Sequence, residues 1–210
     1  MEYLQTAPVA CVIFVITIIT SLMAFSNNSL YGRMMLHPYT VYRGKDIHTI
    51  ITSGLIHRDW MHLFFNMLSY FFFAFNLEPV IGHWQFGILY VLSLILSDMP
   101  TVVKHKNDYN YFSLGASGAV SAVIFSTILF APWQTIMILP IPVPIWFWAF
   151  GILYLVYCHY ASKYSRDQIN HDAHFFGAIS GLMITIVFNH HVLGEFIQQI
   201  ISEAPARFHL

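Results

Sequence analysis

Charge is what this sequence has least of. Only 9% of its 210 residues are Asp, Glu, Lys or Arg, where a soluble domain carries about a quarter. That scarcity excludes an ordinary water-soluble globule. Nine Lys+Arg against ten Asp+Glu leave a net charge of -1, so no basic field points to nucleic acid as a partner. Cysteine is nearly absent too. Cys11 and Cys158 lie in apolar segments without CxxC spacing, a pattern that favours small packing residues over a disulfide or a metal site. The first apolar run lacks a basic leader and a small-residue cleavage site, so a removed signal peptide is not expected. Internal repeats and low-complexity tracts are missing as well.

What the chain has instead is apolar bulk: 57% hydrophobic residues, including 19 Phe. Apolar stretches long enough to cross a bilayer, at about 1.5 Å per helical residue, predict spans over about 8–25, 60–81, 84–96, 115–130, 145–161 and 171–188. Pro140, Pro142 and Pro144 forbid a continuous helix before the fifth. The expected fold class is an all-α polytopic bundle of six transmembrane helices. One membrane domain fills residues 1–190, with an amphipathic tail over 191–210. Residues 26–58 are too polar to span and too apolar for a free linker, and they read as a loop domain in the interface.

With six crossings, spans two, four and six begin on the same side. That puts His62 and Asn66, Ser117 and His174 at one depth in three helices. Polar groups at membrane depth are costly unless they face protein or water. Ser117 opens its span within Gly115-Ala116-Ser117-Gly118-Ala119-Val120-Ser121-Ala122. Helix packing alone accounts for the Gly118 and Ala122 spacing, since small residues four apart let membrane helices approach closely. His174, Gly177 and Gly181 form a matching seam on span six. If the two seams meet, Ser117 and His174 come within hydrogen-bond reach, and a neutral imidazole can take the serine proton. Helix-terminal N–H groups such as that of Ser117, with His62 and Asn66 opposite, would then face a developing oxyanion. No carboxylate shares the inward face of His174, because Asp172 is two residues away and points elsewhere. The reading is a dyad.

These residues resemble the rhomboid family of intramembrane serine proteases. The family pattern GxSGxxxA is met by Gly115, Ser117, Gly118 and Ala122; HxxxxHxxxN by His57, His62 and Asn66; AHxxGxxxG by Ala173, His174, Gly177 and Gly181. The resemblance covers roughly residues 9–190. It implies hydrolysis within transmembrane segments of protein substrates in a bilayer. It implies Ser117 as nucleophile, His174 as base, His62, Asn66 and the Ser117 N–H around the oxyanion, and His57 as a structural link to the interfacial loop. It implies no metal, ATP or other cofactor, and a bacterial plasma membrane as the setting.

Two positions depart from the family pattern. His48-Thr49 stands where many relatives have Trp-Arg, and Ser121 stands where an aromatic residue stacks on the base. The basic residues also fall mostly in loops that the family topology places outside, whereas the positive-inside rule favours the reverse orientation. Other readings remain open at this stage. A metal-dependent membrane oxidase on His57, His62, His171 and His174 lacks a histidine-box spacing and an acidic ligand. A non-catalytic rhomboid-like binder would have no need of Ser117 and His174. An ion transporter lacks an inward charge. Neither substrate identity nor oligomeric state is encoded in any motif.

Overall fold

The computed structural model describes residues 2–138 and 141–208. In chain order the helices are α1 (Glu2–Thr6), α2 (Pro8–Phe25), α3 (Asn28–Met34), α4 (Pro38–Val41), α5 (Thr49–Thr52), α6 (Trp60–Ile81), α7 (His83–Lys104) and α8 (Ser117–Phe130). Strands β1 (Thr135–Ile138) and β2 (Ile141–Trp146) form an antiparallel hairpin, followed by α9 (Phe147–Tyr164), α10 (His171–Phe188) and α11 (Val192–Phe208). Among the described residues four helices, α2, α6, α7 and α10, are long and apolar enough to cross a membrane. Their outward faces carry the apolar side chains a soluble protein would hide: Val12, Val15 and Ile19 on α2, Phe64 and Phe72 on α6, Met183 and Val187 on α10. This is an integral membrane protein.

The boundaries of α2, α6 and α10 coincide with three expected spans because each has a local start signal. Pro8 begins α2, where its missing N–H costs nothing. The Asp59 carboxylate caps α6 by accepting from the His62 N–H at 2.8 Å. Asn170 caps α10 by accepting from the Ala173 N–H at 3.0 Å. The expectation for the third span needs correction: α7 does not end at Leu96 but continues through Ser97-Asp98-Met99-Pro100 to Lys104. That segment is not the turn its composition suggests. Ser97, Asp98, Thr101 and Val102 are buried, and the Ser97 hydroxyl satisfies itself on the Leu94 carbonyl at 2.9 Å. Tertiary burial thus carries the helix past residues of low propensity.

The fourth span is also corrected. α8 has 14 residues, about 21 Å at 1.5 Å per residue, well short of a hydrocarbon core of about 30 Å. It is the most enclosed helix, with Gly118 to Val123 buried without a break. Residues 111–114 approach it as non-helical chain, held by the Leu36 and Ser113 backbone bridge. Non-helical backbone is tolerated there because it borders protein and the cavity described below. After α8 the chain turns through the hairpin, which the prolines permit because Pro144 lies in a two-stranded ribbon with edges on both sides; Pro140 lies outside the described residues. The fifth helix then starts at Phe147 rather than Ile145.

α8 and α10 run side by side in register. A Cβ on Gly177 would collide with the backbone of Gly118, and one on Gly181 with the backbone of Ala122. Only glycine allows two backbones this close, as in small-residue membrane seams. At the periphery, α2 is anchored differently. The fully buried Glu78 of α6 accepts from the N–H groups of Val9 (3.1 Å) and Ala10 (2.6 Å) and pairs with His83 at 2.6 Å. A buried carboxylate is expensive without such partners, and here it caps the first turn of α2, where the helix dipole favours negative charge.

Candidate active site

The first turns of α6, α8 and α10 open on a single cavity of about 630 Å³, lined by His62, Asn66, Ser117 and His174 among others. All four polar residues singled out in the sequence are therefore brought together. At its floor, the His174 Nε2 and Ser117 Oγ stand 2.7 Å apart. With the serine hydroxyl as donor, the neutral ring carries its proton on Nδ1.

Ser117 is presented by a backbone feature that only glycine supplies. Gly115 adopts φ +118°, and a Cβ there would lie 2.6 Å from His62 Cε1 and 2.8 Å from His62 Nε2. Side chains larger than hydrogen are excluded on both counts. α8 begins without a side-chain cap, so the first N–H groups of the helix, that of Ser117 included, are donors left to face the cavity end.

His62 lies across from them. Its Nδ1 accepts from the Arg58 N–H at 3.3 Å, which leaves the proton of the neutral ring on Nε2, the atom facing Gly115. Asn66, one turn on, donates from Nδ2 to the His62 carbonyl at 3.0 Å while lining the same cavity.

His57 is fully buried and does not line the cavity. It receives the Ala116 N–H at Nε2 (3.4 Å), so its Nδ1 donates to Ser21 Oγ (3.0 Å), and that hydroxyl donates to the Leu55 carbonyl (3.0 Å). One ring joins α2, the interfacial loop and the residue before Ser117. Burial, with repulsion from His62 second, pushes the His57 imidazole down from 6.5 to about 3, so it stays neutral and keeps this directional chain.

The two departures from the family pattern have structural answers. Ser121 leaves no ring on α8 to cover His174, but Tyr154 of α9 supplies one, with its ring parallel to the imidazole at 9° and 6.4 Å between centroids. The Tyr154 hydroxyl lies 2.8 Å from Ser121 Oγ, so Ser121 tethers the ring that faces the base. At His48-Thr49 the loop is secured otherwise. Thr49 is buried and donates to the Asp46 carbonyl at 2.6 Å. Arg43 bonds the carbonyls of Tyr39 (2.7 Å) and Lys106 (2.6 Å), clamping the loop to the segment after α7.

Asn170 and Tyr154 are the residues that sequence reasoning missed. Asn170 caps α10 and donates from Nδ2 to Ser113 Oγ at 3.1 Å, fixing the turn before His174 to the chain that leads to Ser117. An Asn directly before an apolar run is an N-cap signal; nothing in the sequence marks Tyr154. Asp172 points away from the site and pairs with Lys104 at 2.5 Å. The four histidines considered for a metal do not converge: the metal-capable group among the described residues is Cys158, His171 and His174.

At the cavity mouth, Arg58 pairs with Asp59 at 2.8 Å and reaches Gln168 at 2.9 Å. The Asp59 carboxyl is held below the usual range first by the Arg58 hydrogen bond and then by the His62 N–H.

A family model described as the Rhomboid domain matches residues 44–191. The match begins later than residue 9, so α2 and the start of the interfacial loop fall outside it. The Bacillus subtilis (strain 168) protein YdcA, described as a candidate rhomboid protease, is 30% identical over 146 residues, covering 66% of this chain and 65% of that protein. The chain thus spans just under two thirds of the length of that curated relative. The matched region contains the whole of α6 through α10, and with it every residue at the cavity floor: this chain belongs to the rhomboid family.

Proposed function

We propose that this protein is an intramembrane serine endopeptidase, hydrolysing peptide bonds in or near transmembrane segments of other membrane proteins. The observation that carries the reading is the 2.7 Å contact between Ser117 Oγ and His174 Nε2 at the floor of an open cavity.

In this reading His174 Nε2 takes the proton as Ser117 Oγ attacks the substrate carbonyl carbon. The tetrahedral oxyanion is held by the Ser117 N–H, with the Nε2–H of His62 and the amide of Asn66 from the opposite wall. His174 then returns the proton to the departing amine. Water entering the cavity is deprotonated by the same imidazole and hydrolyses the acyl-enzyme, releasing the second product and restoring Ser117. Tyr154 and Asn170 are positioning residues, one stacked on the base and the other fixing its helix. The Arg58 and Gln168 contact sits where substrate and water must enter, so the stretch from Ser165 to Asn170 is the gate.

The six-crossing arrangement belongs to the same proposal, with α8 and α9 added to the four clear spans. α8 compensates for its length by lying inside the bundle, where its ends need not meet lipid. A bacterial plasma membrane is the proposed setting, with the cavity opening outward. A substrate helix must unwind to reach Ser117, which favours segments with Gly or other weak helix formers near the cut.

The test is cleavage of a transmembrane substrate by the purified protein reconstituted in vesicles. Ser117→Ala and His174→Ala should each abolish the product while leaving the thermal unfolding transition in place. Undiminished cleavage in either variant, or no cleavage by the unaltered protein on any membrane substrate tried, would favour a binder over a protease.

A further inference from the structure

Around the base lies a cluster of which the proposed reaction uses only His174. Cys158 of α9 and His171 and His174 of α10 each place a potential ligand atom within 4.8 Å of the other two. Cys158 is fully buried and His171 is 4% exposed. The His171 Nε2 is engaged at 3.1 Å by the Asp167 carboxylate, while its Nδ1 is buried without any hydrogen-bond partner.

An orphaned imidazole nitrogen inside a protein is costly. One whose other nitrogen is held by a carboxylate has the arrangement that orients histidine toward a metal. His174 is placed likewise: Nε2 faces Ser117, and Nδ1 is the nitrogen that remains.

We propose that Cys158, His171 and His174 form an inhibitory site for a zinc-class divalent cation. A thiolate and two imidazoles are a donor set that suits Zn²⁺, with a water as fourth ligand. Zinc bonds of about 2.0–2.3 Å would draw the three ligand atoms together by roughly an ångström. His174 lines the cavity, as does the Asp167 carboxylate, which gives a cation a path from solvent.

Binding releases one proton, from the Cys158 thiol to solvent. With the metal on His174 Nδ1, the ring proton moves to Nε2. That nitrogen then donates to Ser117 instead of accepting from it, and the base is switched off. The metal is not part of the reaction, so the resting enzyme works without it and chelators leave its activity intact.

The inhibitory consequence rests on the protease reading; the site itself does not. Binding is therefore measured separately, in Ser117→Ala protein, by titrating Cd²⁺ as a probe. We expect a thiolate-to-cadmium charge-transfer band that saturates at one ion per chain and is competed by Zn²⁺. The band should vanish in Ser117→Ala/Cys158→Ala and weaken at least tenfold in apparent affinity in Ser117→Ala/His171→Gln, two changes that guard against one failing to fold.

In the cleavage assay, Zn²⁺ should inhibit the unaltered protein and EDTA should restore it. Cys158→Ala should need at least tenfold more Zn²⁺ for the same fractional loss relative to its own metal-free rate. A cadmium band with no protease activity in any preparation would sink the protease reading and leave the site standing. No saturable band, or zinc sensitivity unchanged in Cys158→Ala, would overturn the site and assign the effect to other histidines among the twelve.

Discussion

The two ends of the α8 and α10 seam make an informative pair. At the first end, Ser117 and His174 face each other at 2.7 Å, both partly exposed to an open cavity. At the other, Ser126 and Thr185 meet at 2.6 Å, with 0% and 2% exposure. The same two helices, in the same register, hold a hydroxyl contact at each end. Thr185 also donates to the Gly181 carbonyl at 2.7 Å, so the inner contact is a closed circuit that holds the helices together. The outer pair has a base in place of a second hydroxyl, and water above it. What separates a structural polar contact from a reactive one here is the partner's ability to take a proton, together with access to solvent.

The comparison can be broken most severely at its outer end. Ser117→Ala or His174→Ala is expected to lower cleavage on the order of 10⁴-fold or more, as for paired nucleophile and base elsewhere, with product formation in vesicles as the readout. Ser126→Ala at the inner end should leave the rate within a few-fold, and equal losses at the two ends would erase the distinction drawn between them.

The seam itself comes next. Gly177→Val drives a branched side chain into the Gly118 backbone, and overpacking of this kind costs about 1–3 kcal/mol or more. Thermal unfolding in detergent should shift down and activity should fall with it. A stable, fully active Gly177→Val protein would show that the helices are not held this close.

Asn66→Ala should slow turnover by about a hundredfold, the scale of one lost oxyanion donor, and by less than loss of the dyad because other donors remain. Its effect should fall on kcat rather than KM. Tyr154 sharpens the picture further. Tyr154→Phe keeps the ring over His174 and should lose about tenfold or less, while Tyr154→Ala should lose more, through an imidazole free to turn. Equal rates for the two would mean that the stacking positions nothing.

The smallest expected effect is on pH dependence. His57 titrates in the folded protein near 3, far below its ordinary 6.5, so the native state binds fewer protons than the unfolded one between those values. The stability this group contributes is full above about pH 6.5 and is lost as pH falls toward 3. Unfolding temperatures measured across that range should decline less steeply for His57→Phe than for the unaltered protein, although the variant starts lower.

Legibility in the sequence varied with the range of the interaction. The approximate spans of α2, α6 and α10 could be read from their apolar runs, and their starts are fixed by Pro8, Asp59 and Asn170, signals that act within one turn. The motif residues could be placed at one depth because crossings alternate in direction. The end of α7 could not be read, since Ser97-Asp98-Met99-Pro100 has the composition of a turn and is made helical by burial against neighbours distant in sequence. The true length of α8 was hidden for a similar reason: residues 115–116 are apolar enough to look helical, yet Gly115 turns them into the approach to Ser117.

Composition by itself determined that this chain lives in a membrane, since a sequence so poor in charge and so rich in Phe, Ile and Val finds its solvent in lipid. The three spaced motifs pointed to the side chains that line one cavity and to the helices that approach closely, because glycine spacing is a property of the chain. Only the tertiary structure decided that the ring covering His174 comes from Tyr154 of α9 and that His57 ties Ala116 to α2 through Ser21. It also decided that Cys158 lies beside His171. Each of those contacts joins helices separated by dozens of residues, and no local rule of spacing reaches across the space between them.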